Sequence, residues 1–333
     1  MPTLETKTIN AENSILLREL FYGAPKTRKT WLAGTAAEAG FNVILLDADH
    51  GYHILTRNLS DAAKKRLNLF ECRDSLTQPV ASQFLARFLK QGKVWFDEKE
   101  LKVIPFQKDL NENCVELSKD KHLNSNTVLI LDSYTAIVNS LKFAYAKERQ
   151  IDLTDLSEDD SKDMNVKRNG YAVSGGLASF ILERITKLPC HVIVIGHASQ
   201  YEKYSKDGKK MEWSRRVVKS TSNPHSLTIG DKFSDILFFN NASASVTKVE
   251  TRADKDAEGG SRIIPPNSYM WADLTWDKIC ALANIPLPPA DLPYLDFKPD
   301  LPTGGTSLET NVPPKINPAP AKLGLKGLIK KAV

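Results

Sequence analysis

The stretch Ile15–Thr30, ILLRELFYGAPKTRKT, constrains the fold of this chain more than any other. An apolar run ends at Gly23, a short loop follows, and Lys29-Thr30 open what the pattern predicts to be a helix. The spacing matches a phosphate-binding loop, G-x-x-x-x-G-K-[ST], with Arg28 in place of the second glycine. Most of the physics the motif needs is present. Gly23 lets the chain turn off the strand, and the loop Gly23, Ala24, Pro25, Lys26, Thr27, Arg28, Lys29, Thr30 can cradle an anion at a helix N-terminus. Lys29 then reaches terminal phosphates, and Thr30 holds Mg²⁺ through its hydroxyl. Arg28 stands where glycine is the default, because the backbone there adopts a strained or positive-φ conformation. Taken alone, the stretch reads equally as a strand–turn–helix with incidental lysines.

The residues after Thr30 narrow the choice. Thr30 to Ala39 is predicted helical up to Gly40, and Phe41 to Leu46 (FNVILL) is an apolar run of the kind buried on both faces of a parallel sheet. Strand, glycine loop, helix, glycine, strand is a βαβ unit. The second strand ends in Asp47-Ala48-Asp49-His50-Gly51, and carboxylates at the carboxyl end of a parallel strand sit where open α/β sheets bind ligands. Either one of them polarises a water for attack on a γ-phosphate, or they cap the next turn.

Three further runs carry the pattern on. Thr127 to Leu131 (TVLIL) is a buried strand capped by Asp132-Ser133, where the carboxylate suits a Mg²⁺ shell. His191 to Ile195 (HVIVI) is another, followed by Gly196-His197-Ala198-Ser199-Gln200. His197, with Gln200 second, is placed to sense a γ-phosphate; the plainer reading is a structural histidine. Ile236 to Phe239 and Ser245 to Thr251 are predicted as further strands, and Thr275 to Asn284 as a final helix.

Between these runs the chain is more polar. Helices are predicted over Ser60–Leu67, Thr77–Gln91, Tyr134–Arg149 and Tyr171–Lys187, although Gly175-Gly176 weakens the last. Lys93 to Phe106 reads as a peripheral hairpin, Asn111 to Asn126 as a polar loop and residues 155–170 as a charged loop. Tyr201 to Trp213 has a hairpin signal at Asp207-Gly208 and interleaves lysine with tyrosine. Lys203, Lys206, Lys209, Lys210, Arg215 and Arg216 suit a groove for single-stranded nucleic acid, and they equally suit an exposed hairpin.

The 333 residues are 41% hydrophobic and 26% charged with net charge +5, which fits a soluble globular protein and permits an anionic partner. Cys72, Cys114, Cys190 and Cys280 stand apart, so the sequence gives neither a zinc-site spacing nor a disulfide framework, and a reducing, cytoplasmic setting is expected. No run approaches the ~18 apolar residues of a membrane span, and Met1 to Asn13 is too polar for a signal peptide. The expected organisation is an N-terminal arm (1–14), one α/β core (15–285) and a Pro-rich disordered tail (286–333). The tail ends in Leu323–Val333, LGLKGLIKKAV, either a docking peptide for a partner or a frayed end.

Together GAPKTRKT, LLDADHG (Leu45 to Gly51), VLILDS (Val128 to Ser133) and VIVIGH (Val192 to His197) resemble the RecA-like recombinase core, nearest to small phage ATP-binding proteins of single-strand annealing and recombination. The resemblance implies a P-loop NTPase core with a mainly parallel sheet flanked by helices, ATP and Mg²⁺ as cofactors, single-stranded DNA as partner and a homo-oligomeric ring or filament. It matches Asp49 to the catalytic glutamate, one methylene shorter, Asp132 to the Mg²⁺-binding aspartate, and His197 to the polar group that couples ATP to DNA. It also implies a cation acting on a neighbouring subunit's ATP, for which Lys248, Arg252 and Arg262 are candidates, and for a phage-encoded protein a setting in the host cytoplasm. The expected function is ATP-dependent single-strand DNA binding with DNA-stimulated hydrolysis. The alternative is a nucleotide-binding scaffold without turnover, which Arg28 favours.

Overall fold

The computed structural model describes residues 15–151, 164–204, 211–220, 223–243, 246–252, 257 and 259–299. Its strands are β1 (Arg18–Gly23), β2 (Asn42–Asp47), β3 (Leu67–Glu71), β4 (Lys93–Asp97), β5 (Lys102–Ile104), β6 (Cys114–Ser118) and β7 (Thr127–Asp132). They continue with β8 (His191–Tyr204), β9 (Met211–Val218), β10 (Asp235–Ser243), β11 (Val246–Glu250), β12 (Gly260–Ser261) and β13 (Ser268–Met270). The helices are α1 (Lys29–Glu38), α2 (His53–Asn58), α3 (Asp61–Arg66), α4 (Val80–Gln91), α5 (Lys119–His122), α6 (Tyr134–Arg149), α7 (Met164–Ile185), α8 (Asn223–Ser226) and α9 (Trp276–Leu282).

The protein is α/β, with a ten-stranded sheet in the order β13-β11-β10-β1-β8-β7-β2-β3, β12 beside β10 and β9 beside β8. The stretch from β10 to β3 is parallel throughout, and the added strands pair antiparallel. Strands β2 and β7 are buried at every residue, as expected when both faces of a parallel sheet are covered. Alternation sorts their side chains. Leu20, Ile44, Leu129 and Val192 enter the core under α4, α6 and α7, while Phe21, Val43, Val128 and Ile193 enter the core under α1 and α9. The βαβ unit exists, but its strands are not neighbours, because β8 and β7 lie between β1 and β2. Among the described residues no helix is long and apolar enough to cross a membrane.

The hairpin expected at 93–106 is present as β4 and β5, and it gains a third strand. Residues 111–126 are not simply a loop: β6 pairs with β4, and Phe96 and Leu117 join the core. The helix expected over 60–67 is present as α3, and strand β3, which follows it with no glycine or proline between them, had no expected counterpart. Helix α7 begins at Met164, inside the expected charged loop, and runs through Gly175-Gly176; the remainder of that loop, 155–163, lies outside the described residues.

The tail does not begin where its composition changes. Residues 286–299 lie on the core: Asn42 Nδ2 donates to the Pro293 carbonyl at 3.0 Å, and Arg66 to that of Leu292 at 3.1 Å. Glu116 N–H donates to the Phe297 carbonyl at 2.7 Å. The Phe297 ring stacks on His122 at 4.4 Å and meets Phe70 edge-on at 5.6 Å. One buried aromatic anchor, with hydrogen bonds to its own carbonyl and to those of Leu292 and Pro293 before it, outweighs the proline content of this segment. The expected arm (1–14) and residues 300–333 lie outside the described residues.

Candidate functional site

Four strands end side by side at one edge of the sheet. The registers set Gly23 of β1 against His197 of β8, Asp132 of β7 against Ile195 of β8, and Asp47 of β2 against Asp132. The chain leaves β1 into α1 on one face and β7 into α6 on the other, and open α/β sheets bind ligands beyond strand ends where successive helices change face.

The loop after β1 keeps the backbone of a glycine-rich turn without the glycines. Arg28, which caps α1, has φ 66° and ψ 19°, and Lys26 has φ 64°. Position 28 thus requires the left-handed region and holds an arginine in it. Gly23 answers a different need from the one its sequence position implied. Its φ is not left-handed; a Cβ there would lie 2.3 Å from the Phe239 carbonyl oxygen of β10. Close approach of a neighbouring strand excludes a side chain at residue 23. No side chain caps α1. The N–H groups of its first turn have no intrahelical acceptor and are available to an anion.

Lys29 is buried and folded back on this loop. Its Nζ donates to the Ala24 carbonyl at 2.8 Å, the Gly23 carbonyl at 3.2 Å and Thr27 Oγ1 at 3.2 Å. Burial lowers its pKa to about 8, against the opposing pull of Asp132 and Asp49. Thr30 Oγ1 donates to Asp132 Oδ2 at 2.5 Å. Burial pushes Asp132 up to about 7, partly offset by the Thr30 hydroxyl and reinforced by Asp47 and Asp49. A Cβ at Gly51 would sit 3.3 Å from that same Asp132 oxygen and 3.5 Å from Thr30 Oγ1, so the glycine leaves space above the pair.

These residues fit a Mg²⁺–nucleotide. The pair offers hard oxygen donors, the buried carboxyl has Lys29 as its cationic neighbour among the described residues, and Gly51 leaves room over both oxygens. Among the described residues no group of three or more His, Cys, Asp or Glu side chains forms a metal cluster.

The two aspartates after β2 separate in role. Asp47 Oδ1 accepts the N–H groups of Asp49 and Gly51 at 3.0 and 3.2 Å, and Oδ2 accepts that of Tyr52 at 3.0 Å, so it is the cap. The Ala48 and Asp49 N–H groups both donate to the Asp132 carbonyl, tying the turn to β7. The exposed Asp49 carboxylate is left to meet His197, with Nε2 and Oδ2 2.9 Å apart. His197 is further held by its N–H on Thr135 Oγ1 at 3.2 Å. Its Nδ1 is buried without a hydrogen-bond partner. This contact between residues 148 apart was not visible in the sequence, which placed each residue at a strand end and gave no pairing.

The remaining candidates are dispersed. Strand β8 runs past the sheet to pair with β9, which brings Tyr201 opposite Arg215 and Gln200 opposite Arg216. Lys203 is exposed. Arg216 is engaged by the hairpin's own neighbours, its guanidinium 5.6 Å over the Phe238 ring and 3.5 Å from Asn240 Oδ1. Lys206, Lys209 and Lys210 lie outside the described residues. Lys248 is exposed and opposite Asn240, at the same end of the sheet as Gly23. Arg252 and Arg262 are exposed toward the other end, since Arg262 N–H bonds the Ser234 carbonyl at the start of β10.

No protein-family model matches the sequence, and no curated protein matches it. Among solved structures the chain is similar to the crystal structure of the RadB recombinase, at 18% sequence identity and a TM-score of 0.33, over 73% of this chain and 84% of that one. A likeness of that extent leaves the functional reading to rest on the residues themselves.

Proposed function

We propose that this chain is a RecA-like, Mg²⁺-dependent ATPase that binds single-stranded DNA and promotes annealing or recombination as a homo-oligomer. The observation that carries the reading is the meeting of Thr30 and Asp132 at 2.5 Å beside buried Lys29, at the opening of a helix whose first N–H groups are uncapped. The chance coexistence of a lysine-rich turn and an aspartate after a distant strand does not require the two to touch.

Bound Mg²⁺ neutralises charge on a transferring phosphoryl group. The residues divide the remaining work. Thr30 and Asp132 are the oxygen donors that hold it, and α1 presents its N–H groups to phosphate. Lys29 would exchange its three loop acceptors for phosphate oxygens, where its ammonium would be better satisfied than by two carbonyls and a hydroxyl. Asp49 orients the attacking water, and His197 holds Asp49 in place while anchored by Thr135. Lys248 is the trans-acting cation that the sheet register favours over Arg252 and Arg262. The basic hairpin β8–β9, built on the strand that also carries His197, is the route from nucleotide to DNA.

The test is ATP turnover with and without single-stranded DNA. Stimulated turnover that Lys29→Ala abolishes is expected. No turnover in either condition, with function intact in Lys29→Ala, refutes the enzyme and leaves a scaffold. Arg28 and the satisfied Lys29 ammonium are the features that favour that second reading.

A further inference from the structure

The sheet ends at β3, and the outer side of this strand has no strand partner among the described residues. Facing it stands the separate sheet β5-β4-β6. Between the two runs a groove of about 390 Å³, lined by Leu67, Leu69 and Glu71 of β3, by Phe96 and Val115 of the second sheet and by Leu101 of the turn between β4 and β5. The exposed Glu98 adds a second carboxylate, and no lysine or arginine belongs to the lining. Arg73 and His50 pair with Glu71 from outside it.

An unpaired edge beside an apolar groove is a template for an added strand, and folded proteins cover such edges. The chain itself supplies a matching occupant. Phe297 lines the groove, so the sequence beyond residue 299 departs from this place. That sequence closes with LGLKGLIKKAV, in which Leu323, Leu325, Leu328 and Ile329 are interleaved with Lys326, Lys330 and Lys331. The apolar residues suit the Leu67, Leu69 and Val115 walls, and the lysines suit a rim carrying Glu71 and Glu98. A tether of this kind gives an effective concentration on the order of millimolar, so weak strand addition suffices in cis.

We propose that the segment Leu323–Val333 docks in this groove of its own chain and completes the sheet as a strand on β3. The proposal is independent of the nucleotide reading.

Hydrogen exchange of the full-length chain tests it, read on the amides of β3 and, as a control, on those of β7. Wild-type β3 amides are expected to be protected at every protein concentration. The double variant Leu328→Asp, Ile329→Asp loses that protection by roughly tenfold or more with β7 unchanged, and a free peptide of Leu323–Val333, added above the roughly millimolar concentration that the tether supplies, restores the protection. Equal β3 exchange in wild type and variant overturns the proposal, as does loss in β3 and β7 together. Protection that disappears on dilution assigns the groove to a second copy and also overturns it. Failure of the peptide to rescue does the same.

Discussion

Replacing Arg28 by glycine and, separately, by alanine isolates what the loop backbone costs. Both substitutions remove the guanidinium and its contacts, so the difference between them reports the backbone alone. A left-handed L-residue costs about 1–2 kcal/mol, and Arg28 has φ 66°. Glycine removes that cost but returns about 0.4–1 kcal/mol through the greater entropy of its unfolded chain. Arg28→Gly is therefore expected to exceed Arg28→Ala in stability by about 0.5–1 kcal/mol, or roughly 1–2 °C in Tm for a protein of this size. The strain is present without nucleotide, so it weighs on free and bound protein equally, and the two variants are expected to bind ATP with the same affinity. Urea titration gives the first quantity and calorimetric titration the second. Equal stability of the two variants refutes the strain argument. A tighter Kd in the glycine variant alone shows instead that the loop must move to bind.

Three further outcomes are expected. Turnover rises as pH passes about 7, where Asp132 ionises, and falls beyond about 8, where Lys29 loses its proton; raising Mg²⁺ moves the rising limb to lower pH, and a profile flat from pH 6 to 9 contradicts the assignment. Asp49→Asn and His197→Asn each slow turnover, and the double variant is no slower than the slower single, because the two act through one contact; fully additive losses, measured as kcat, show that they act separately. Glu19 is fully buried beside Asp235, and burial first, then that neighbour, raises its pKa well above the usual range. A carboxyl whose folded pKa is raised keeps its proton in the fold longer than in the unfolded chain. Stability then falls above about pH 4.3 by up to about 1.4 kcal/mol per pH unit until the folded pKa is passed. Glu19→Gln removes that slope in urea midpoints taken from pH 5 to 8, and an unchanged slope disproves the assignment.

The sequence disclosed those parts of the fold in which one residue pattern has one physical cause. β1, β2, β7 and β8 are short apolar runs because both sides of a parallel sheet are covered, and their ends announce themselves by the polar residue that comes next. β3 and β6 gave no such signal. LNLFE has one buried residue because it is an edge strand, and CVELS lies in a small sheet whose Glu116 bonds Trp95. Residues 286–299 read as linker because proline dominates their composition, whereas their packing depends on Phe297 alone among the aromatics in reaching the core. At the site, strand ends located Asp49, Asp132 and His197, but strand order is not written in the chain. The Asp49–His197 and Thr30–Asp132 contacts needed β8 and β7 to be placed between β1 and β2.

Gly23 has a mechanical consequence. Its backbone lies so near the Phe239 carbonyl that the two strands have no clearance between them. No side chain stands between the root of the loop and the backbone of β10 to be repacked if the loop is displaced. Strand β10 is in turn hydrogen-bonded to β11, which carries Lys248. The root of the loop is thus joined backbone to backbone, through β10, to the antiparallel flank of the sheet.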